Sequence, residues 1–231
     1  MKEMNYKTKK EPIEIAIVGV GGIGSNLCRV LIPALSQGRL SESLGVIRLS
    51  LLDSDEVDAG NLPHQSFHPE QQGTPKVKAL KETLSAFQGE GLSIQAIQSD
   101  VRGSEDLAAY DLVVVAVDSH VARRAVHGSS ARWLDLRCVG DGYTALDNSV
   151  EPAQLESLTL EQQPASCQHP GAISTGNIQF GFLLAAAHGA QWVIQELRSL
   201  DGQTNSLPPR PQFANITFGT LGRPATQGGH A

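Results

Sequence analysis

The stretch IEIAIVGVGGIG at residues 13–24 joins an apolar run to a cluster of glycines, and it predicts how the chain begins to fold. An apolar strand, a glycine turn and a helix in this order are typical of nucleotide-binding domains. Glycines permit a tight turn and a close approach of the backbone, and the first amides of the following helix offer hydrogen bonds to an anion. We therefore expect a nucleotide to lie against Gly19, Gly21, Gly22 and Gly24.

A second apolar run, at residues 46–52, ends in two carboxylates, Asp53 and Asp55. The run predicts a second strand with Asp53 at its tip. A carboxylate at this position is placed to accept hydrogen bonds from the ribose of a bound nucleotide. The alternative is that Asp53 only caps the end of the strand.

The rest of the chain alternates between strand and helix patterns. Further strands are predicted over 91–97, 111–117, 132–137, 142–147 and 213–220. Helices are predicted over 23–37, 75–87, 119–128 and 171–199, and Pro33 indicates a kink or an early stop in the first of them. This order predicts a Rossmann-like, doubly wound α/β fold whose sheet is mostly parallel, with additional antiparallel strands toward the C-terminus.

Length and charge limit the class of protein. A chain of 231 residues with 40% apolar content suits one large domain, here 12–221, with 1–11 as a flexible arm and 222–231 as a disordered tail. A net charge of -6 disfavours nucleic acid as a partner. No apolar run approaches the ~20 residues needed to cross a bilayer. Three cysteines without a paired spacing favour reduced thiols and a cytoplasmic protein.

Five short motifs occur in a particular order. They are GVGGIGS at 19–25, LLDSD at 51–55, NLPHQ at 61–65, GTPKV at 73–77 and VVAVDS at 114–119. This constellation resembles the ThiF/MoeB/ubiquitin-activating superfamily, whose members adenylate the C-terminal glycine of a ubiquitin-fold protein. The resemblance covers roughly residues 13–200, which is most of the chain.

The resemblance implies a role for each motif. Asp53 would bind the ribose, Asn61 and Lys76 would face the phosphates, and Asp118 would hold Mg²⁺. The nucleotide-binding set that it implies comprises Gly19, Gly21, Gly22, Gly24, Asp53, Asp55, Asn61, His64, Gln65, Lys76 and Arg123. Two alternatives stay open, because Lys76 could be an ordinary surface lysine and Asp118 could cap the helix predicted over 119–128.

The sequence departs from the family pattern at three points. His64 stands where the family usually has arginine, and a histidine is not a fixed bidentate cation. The N-terminal arm shows lysines but no arginine of the kind that reaches a partner subunit's ATP. The paired zinc-binding cysteines of MoeB-like members are missing, so no zinc is expected.

Cys167 is the remaining candidate for chemistry. It precedes the predicted long helix, with His169 close by, and it resembles a loop cysteine that takes over the activated acyl group or forms a persulfide in some relatives. A helix N-terminus and a nearby histidine favour the thiolate of a cysteine. The alternative is an inert loop cysteine, whereas Cys28 and Cys138 are interpreted as packing residues, as are Trp133 and Trp192.

Together these features predict a homodimeric adenylyltransferase that uses ATP and Mg²⁺. Its catalytic residues would be Lys76, Asp118 and Cys167. Its partner would be a ubiquitin-like or sulfur-carrier protein ending in Gly-Gly. A second hypothesis is a non-catalytic member of the fold that binds nucleotide or docks partners, motivated by His64. A third, a nicotinamide-dependent oxidoreductase, depends on the glycine turn alone.

Overall fold

Eight strands form one mixed sheet in the computed structural model, which describes residues 11–159, 166–204, 210–217 and 219–221. The strands are β1 (Ile13–Val18), β2 (Ile47–Leu52), β3 (Leu92–Ile97), β4 (Leu112–Val115), β5 (Arg132–Val139), β6 (Gly142–Asp147), β7 (Gln212–Asn215) and β8 (Gly219–Leu221). Their order is β3-β2-β1-β4-β5-β6-β7-β8. Strands β1 to β5 pair in parallel and β6 to β8 are antiparallel, which confirms the predicted fold class.

Helices cover both faces of the sheet. They are α1 (Gly22–Ser36), α2 (Arg39–Leu44), α3 (Lys76–Thr83), α4 (His120–His127), α5 (Pro152–Leu158) and α6 (Gly181–Leu200). Alternate residues of the parallel strands point to opposite faces, so Ile15 and Ile17 join the core under α1, α3 and α6, while Ala16 and Val18 join the core under α4. A strand buried on both faces therefore needs the continuous apolar run seen in the sequence.

Helix α6 packs unusually closely against its neighbours because it carries a glycine at the contact. A Cβ at Gly189 would lie 2.5 Å from Leu27 Cδ1 on α1 and 2.7 Å from Leu136 Cδ1 on β5. Trp192 is buried one turn further along the same helix, and Trp133 is buried in the core on the opposite face. Both tryptophans are core residues, as predicted.

The helix predicted over 171–199 begins ten residues late, at Gly181. Residues 171–176 form turns, in which Gly171 and Gly176 have φ values of 82° and 72°. The hydroxyls of Ser174 and Thr175 donate to the carbonyl of Gly171 at 3.0 and 2.8 Å. Local bonds of this kind compete with helix formation, which explains the error.

Other predicted boundaries also need correction. The helix expected over 75–87 ends at Thr83 and is followed by a separate 3-10 turn over Ser85–Phe87. The strand expected over 213–220 is two antiparallel strands, β7 and β8. Pro33 does not stop α1, which continues to Ser36. Helices α2 and α5 were missed because both are short and lack a clear apolar stripe.

Two predictions lie largely or wholly beyond the described ranges. The arm 1–11 has only its last residue described, and the tail 222–231 has none. The single domain over 12–221 stays a prediction. Among the described helices, none combines the length and the apolar character needed to span a membrane.

A polar cluster is buried between α6 and the antiparallel strands. The Tyr143 hydroxyl and His188 Nδ1 are 2.8 Å apart, and His188 Nε2 is buried with no hydrogen-bond partner among the described residues. Burial, and then the positive charge of Arg210, lower the pKa of His188 from 6.5 to about 4. The folded protein therefore holds this imidazole neutral at pH values at which an unfolded chain would protonate it.

The free energy of unfolding should fall as the pH drops from 6.5 toward 4. In this range His188 binds a proton in the unfolded chain but stays neutral in the folded protein. Urea titrations at pH 7.5 and pH 5, for the wild type and for His188→Gln, measure this. We expect the variant to be less stable than the wild type at pH 7.5, since the contact with Tyr143 is lost. Its free energy of unfolding should decrease less between pH 7.5 and pH 5. The exposed His68→Gln variant serves as the control, and an equal decline in the wild type and in His188→Gln would contradict the assignment.

Candidate active site

A cavity of about 700 Å³ opens at the carboxyl edge of the parallel strands, where the strand order reverses between β1 and β4. This is the expected ligand position in doubly wound sheets, and the volume lies within the range of small-molecule sites. All of the predicted site residues except Gly24 line the cavity: Gly19, Gly21, Gly22, Asp53, Asp55, Asn61, His64, Gln65, Lys76, Asp118, Arg123 and Cys167.

The glycine turn is pressed between the end of β4 and the start of α1. Gly19 has a φ of 88°, and a Cβ there would lie 2.5 Å from Val117 Cγ1. A Cβ at Gly24 would lie 1.9 Å from the carbonyl oxygen of Gly19. Gly24 is thus required for packing of the helix on the turn, whereas Gly21 and Gly22 face the cavity.

Asp53 holds the glycine turn from the neighbouring strand. Its Oδ2 accepts the amide of Val20 at 2.8 Å, and its Oδ1 accepts the amide of Asp55 at 2.9 Å. Burial raises the pKa of Asp53, and these two hydrogen bonds oppose the rise. These contacts show that Asp53 stabilises the glycine turn, while its contact with a ribose stays a prediction.

Lys76 begins α3 and is buried in the wall of the cavity. Its Nζ lies 2.7 Å from Asp55 Oδ2, and its side chain is only 6% exposed. The amide of Lys76 also donates to the carbonyl of Asp55 at 2.9 Å. The alternative of an ordinary surface lysine is therefore wrong.

The turn at 61–65 forms another wall. The amides of His64 and Gln65 both donate to the carbonyl of Asn61, at 3.2 and 2.9 Å. His64 Nδ1 and Gln65 Oε1 are buried and have no hydrogen-bond partner among the described residues. Burial, and then the charge of Lys76, lower the pKa of His64, so the imidazole is neutral at pH 7. It does not replace the positive charge of an arginine.

Asp118 follows β4 and is exposed to the cavity. Its carboxylate makes no hydrogen bond within the described part of the chain, and the hydroxyl of Ser119, not Asp118, caps α4 by accepting the amide of Ala122. The capping alternative is therefore wrong. No group of three or more His, Cys, Asp or Glu side chains in the described ranges is arranged to hold a metal. A single free carboxylate nevertheless suits Mg²⁺, which retains waters and binds phosphate oxygens.

A buried carboxylate that was not predicted from the sequence holds two arginines of the cavity wall. Asp135 on β5 is fully buried and binds Arg123 at 2.6 Å, Arg137 at 2.6 Å and His127 Nε2 at 3.1 Å. Although burial alone would raise it, the pKa of Asp135 is lowered to about 2 by Arg123, the hydrogen bond to His127 and Arg137. The signal was a carboxylate inside the strand RWLDLR, with an arginine two residues later on the same face.

Arg123 is held in the cavity wall by this carboxylate. Its guanidinium binds Asp135 and the carbonyl of Val117, so it supports the end of β4, while its contact with a nucleotide stays a prediction. Arg137 is bound to Asp135, Thr159 and the carbonyl of Leu158. Two guanidinium groups and one carboxylate leave this wall with net positive charge.

Cys167 lies beside the glycine turn, because a Cβ at Gly22 would be 3.7 Å from its Sγ. A hydrogen bond from Cys138 lowers the pKa of Cys167, burial opposes this, and the charge of Arg123 lowers it further. Cys28 and Cys138 are both buried in the core, as expected of packing residues. Cys138 also lines the cavity and contacts the carbonyl of Cys167.

The family model described as ThiF family matches residues 5–188. Among curated proteins, the chain is 32% identical over 124 residues to SUMO-activating enzyme subunit 2 of Dictyostelium discoideum, covering 52% of this chain and 17% of that protein. It is 29% identical over 144 residues to ubiquitin-like modifier-activating enzyme 5 of Rattus norvegicus, covering 55% of this chain and 33% of that protein. The chain thus spans a third or less of the length of these relatives.

Solved structures share the fold at low sequence identity. The crystal structure of PaaA superposes with a TM-score of 0.59 at 16% identity, covering 90% of this chain and 62% of that one. The structure of Escherichia coli MccB with ATP gives a TM-score of 0.59 at 16% identity, covering 88% and 60%. At this level of identity the likeness concerns the fold.

Asp135→Asn should lower the free energy of unfolding by about 3–5 kcal/mol, because two buried guanidinium groups lose the charge that compensates them. Chemical denaturation measures this. The control is Arg48→Gln, which breaks the exposed ion pair with Glu14 and should cost about 0–1 kcal/mol. Equal losses in the two variants would show that the Asp135 cluster contributes no more than a surface pair.

Gly24→Ala should destabilise the fold by at least about 2 kcal/mol, since the new methyl group would overlap the carbonyl oxygen of Gly19. Gly91→Ala is the matched control, because a Cβ at Gly91 meets no atom within 4 Å. Thermal unfolding of both variants tests the packing constraint. An unchanged midpoint for Gly24→Ala would contradict it.

Proposed function

The chain belongs to the ThiF family, and from that premise we propose that it adenylates the C-terminal glycine carboxylate of a small ubiquitin-fold partner, using ATP and Mg²⁺. The observation that carries the proposal is the convergence in one cavity of the glycine turn, the buried amine of Lys76, the exposed carboxylate of Asp118 and the thiol of Cys167. The printed names of the curated relatives, which are activating enzymes for ubiquitin-like modifiers, support the same class of reaction.

Positively charged side chains in the cavity wall support the proposed reaction. A carboxylate that attacks the α-phosphate of ATP brings two anions together, so the site must supply positive charge and positioned donors. Lys76 lies in the wall as a buried cation, and the first amides of α1 point toward the turn. Arg123 and Arg137, which are both bound to the buried Asp135, also line the cavity.

Asp118 is the residue that would hold Mg²⁺. When bound, the metal would neutralise phosphate charge and stabilise the developing charge at phosphorus. Its fit depends on a carboxylate that is exposed to the cavity and makes no hydrogen bond in the described ranges. Asp55, by contrast, already compensates Lys76.

We propose a route for the partner's C-terminus beside the main cavity. A second cavity of about 240 Å³ lies along β5, β6 and β7 and shares Arg137 and Cys138 with the first. The exposed apolar side chains of Val139 and Phe213 line it. An extended peptide laid across these strands would lead into the main cavity past Arg137 and Cys138, which border both cavities.

Cys167 is proposed as the acceptor of the activated acyl group. Its thiolate would attack the acyl carbon of the adenylate, forming a thioester while the bond to AMP breaks and AMP leaves. The lowered pKa of Cys167 and its position beside Gly22 support this step. A homodimer is part of the same proposal and is measurable by light scattering.

A second function is favoured by one specific observation, the neutral His64 in the place of an arginine. A site without that cation could bind nucleotide and dock partners without turning ATP over. The nicotinamide hypothesis gains no support from the cavity, because it leaves the arrangement of Asn61, Lys76 and Asp118 without a role. Fluorescence titration with NADH and with ATP separates these ligands.

ATP–pyrophosphate exchange with Mg²⁺, measured with small proteins ending in Gly-Gly, should depend on the partner and fall at least about 100-fold in Lys76→Ala and Asp118→Ala. The loss reflects removal of one positioned charge from the phosphate site in each variant. Lys78→Ala is the matched control, since Lys78 is exposed two residues away on the same helix. Cys167→Ser should retain exchange but form no thioester.

The outcomes separate the two hypotheses. ATP binding without exchange for any partner would favour the non-catalytic function. Exchange that survives in Asp118→Ala would remove Asp118 from the metal site. Restoration of exchange by His64→Arg would locate the defect at the missing cation.

A further inference from the structure

Two of the three cysteines are in contact at the wall of the cavity. The Cys138 thiol lies 3.8 Å from the carbonyl oxygen of Cys167 and 3.7 Å from that of Gly140. The amide of Gly140 donates to the same carbonyl of Cys167 at 2.9 Å. The end of β5 and the segment before α6 are therefore joined through the backbone at the place where both cysteines line the cavity.

The environments of the two sulfur atoms differ. The hydrogen bond to Cys167, together with burial, raises the pKa of Cys138, whereas the same hydrogen bond and the charge of Arg123 lower the pKa of Cys167. Cys167 is also the more exposed of the two. A more exposed thiol with a lowered pKa beside a buried thiol with a raised pKa is the arrangement in which one cysteine is oxidised and the other resolves the product.

We propose that Cys138 and Cys167 form a peroxide-responsive thiol pair, in which Cys138 closes a reversible disulfide with oxidised Cys167. In the first step the Cys167 thiolate attacks hydrogen peroxide, the O–O bond breaks, and sulfenic acid and water form once a proton is taken up. In the second step the Cys138 sulfur attacks the sulfenic sulfur, and a second water leaves. The two thiols lose two electrons in total, and peroxide accepts them.

Nearby charges and burial favour oxidation at Cys167 over oxidation at Cys28. Arg123 stabilises the Cys167 thiolate, and Asp118 opposes it from the cavity side. Cys28 is fully buried in α1, and burial raises its pKa, so it should not compete. The disulfide would withdraw the Cys167 sulfur from the side of the glycine turn at Gly22. The inference goes beyond adenylation and does not rest on it.

The test treats the full chain with hydrogen peroxide in the absence of nucleotide and follows the products by mass spectrometry. The wild type should lose the mass of two hydrogen atoms, its titratable thiols should fall from three to one, and a thiol reductant should restore all three. Peptide mapping should join Cys138 to Cys167, with Cys28 alkylated only after denaturation.

Serine variants of the three cysteines show which cysteine is oxidised and which one closes the disulfide. Cys138→Ser should stop at a sulfenic acid on Cys167 that dimedone traps and that excess peroxide carries to sulfinic acid. Cys167→Ser should resist the same peroxide dose, and Cys28→Ser should behave as the wild type. Circular dichroism checks each fold, and Cys138→Ala replaces Cys138→Ser if the buried hydroxyl prevents folding.

Three outcomes would overturn the proposal: oxidation of the wild type without a cross-link, a cross-link through Cys28, or no gain in trapped sulfenic acid when Cys138 is removed. Because no partner or ATP takes part, a failure here leaves pyrophosphate exchange unaffected. Absent exchange likewise says nothing against the thiol pair.

Discussion

The fold depends on a backbone contact that leaves no room for a side chain. Helix α1 starts so close to the end of β1 that position 24 has no space for a methyl group beneath the carbonyl of Gly19. The same approach fixes the turn against β4 and against the carboxylate of Asp53. With the turn held on three sides, its open side becomes the floor of the cavity. Packing and ligand access are therefore two results of one constraint.

Charge is distributed unevenly around that floor. Lys76 and Asp135 are both buried, and each is compensated by a partner of opposite sign. Asp118 is left exposed without a hydrogen bond in the described ranges, and His64 is neutral. Buried pairs of this kind fix the position of side chains more than they stabilise the protein. The cavity thus combines rigidly held, compensated cations with one exposed carboxylate, an arrangement suited to a phosphate that arrives with its metal.

Most of the fold and much of the candidate site were predictable from the sequence, for identifiable reasons. The parallel strands were found because burial on both faces requires continuous apolar runs, as at Leu112–Val115. Asp53 was found because it follows a strand at one edge of the sheet, whereas Asn61, Lys76 and Asp118 were implied by the resemblance of their motifs to the ThiF/MoeB/ubiquitin-activating superfamily. Asp135 was missed because two of its partners, Arg123 and His127, come from α4, and no local pattern within β5 records such contacts. The start of α6 was misplaced because side-chain bonds at Gly171 compete with the helix.

The polarity of the sheet has an evolutionary consequence. The cavity lies at one edge of the parallel strands, and connections at the other edge, such as 88–91 and 108–111, do not line it. Glycines 89 and 91 lie in one of these connections with open space around them. Insertions or fused modules placed there would leave the cavity undisturbed. A fold with this division can acquire new attachments while its cavity stays the same.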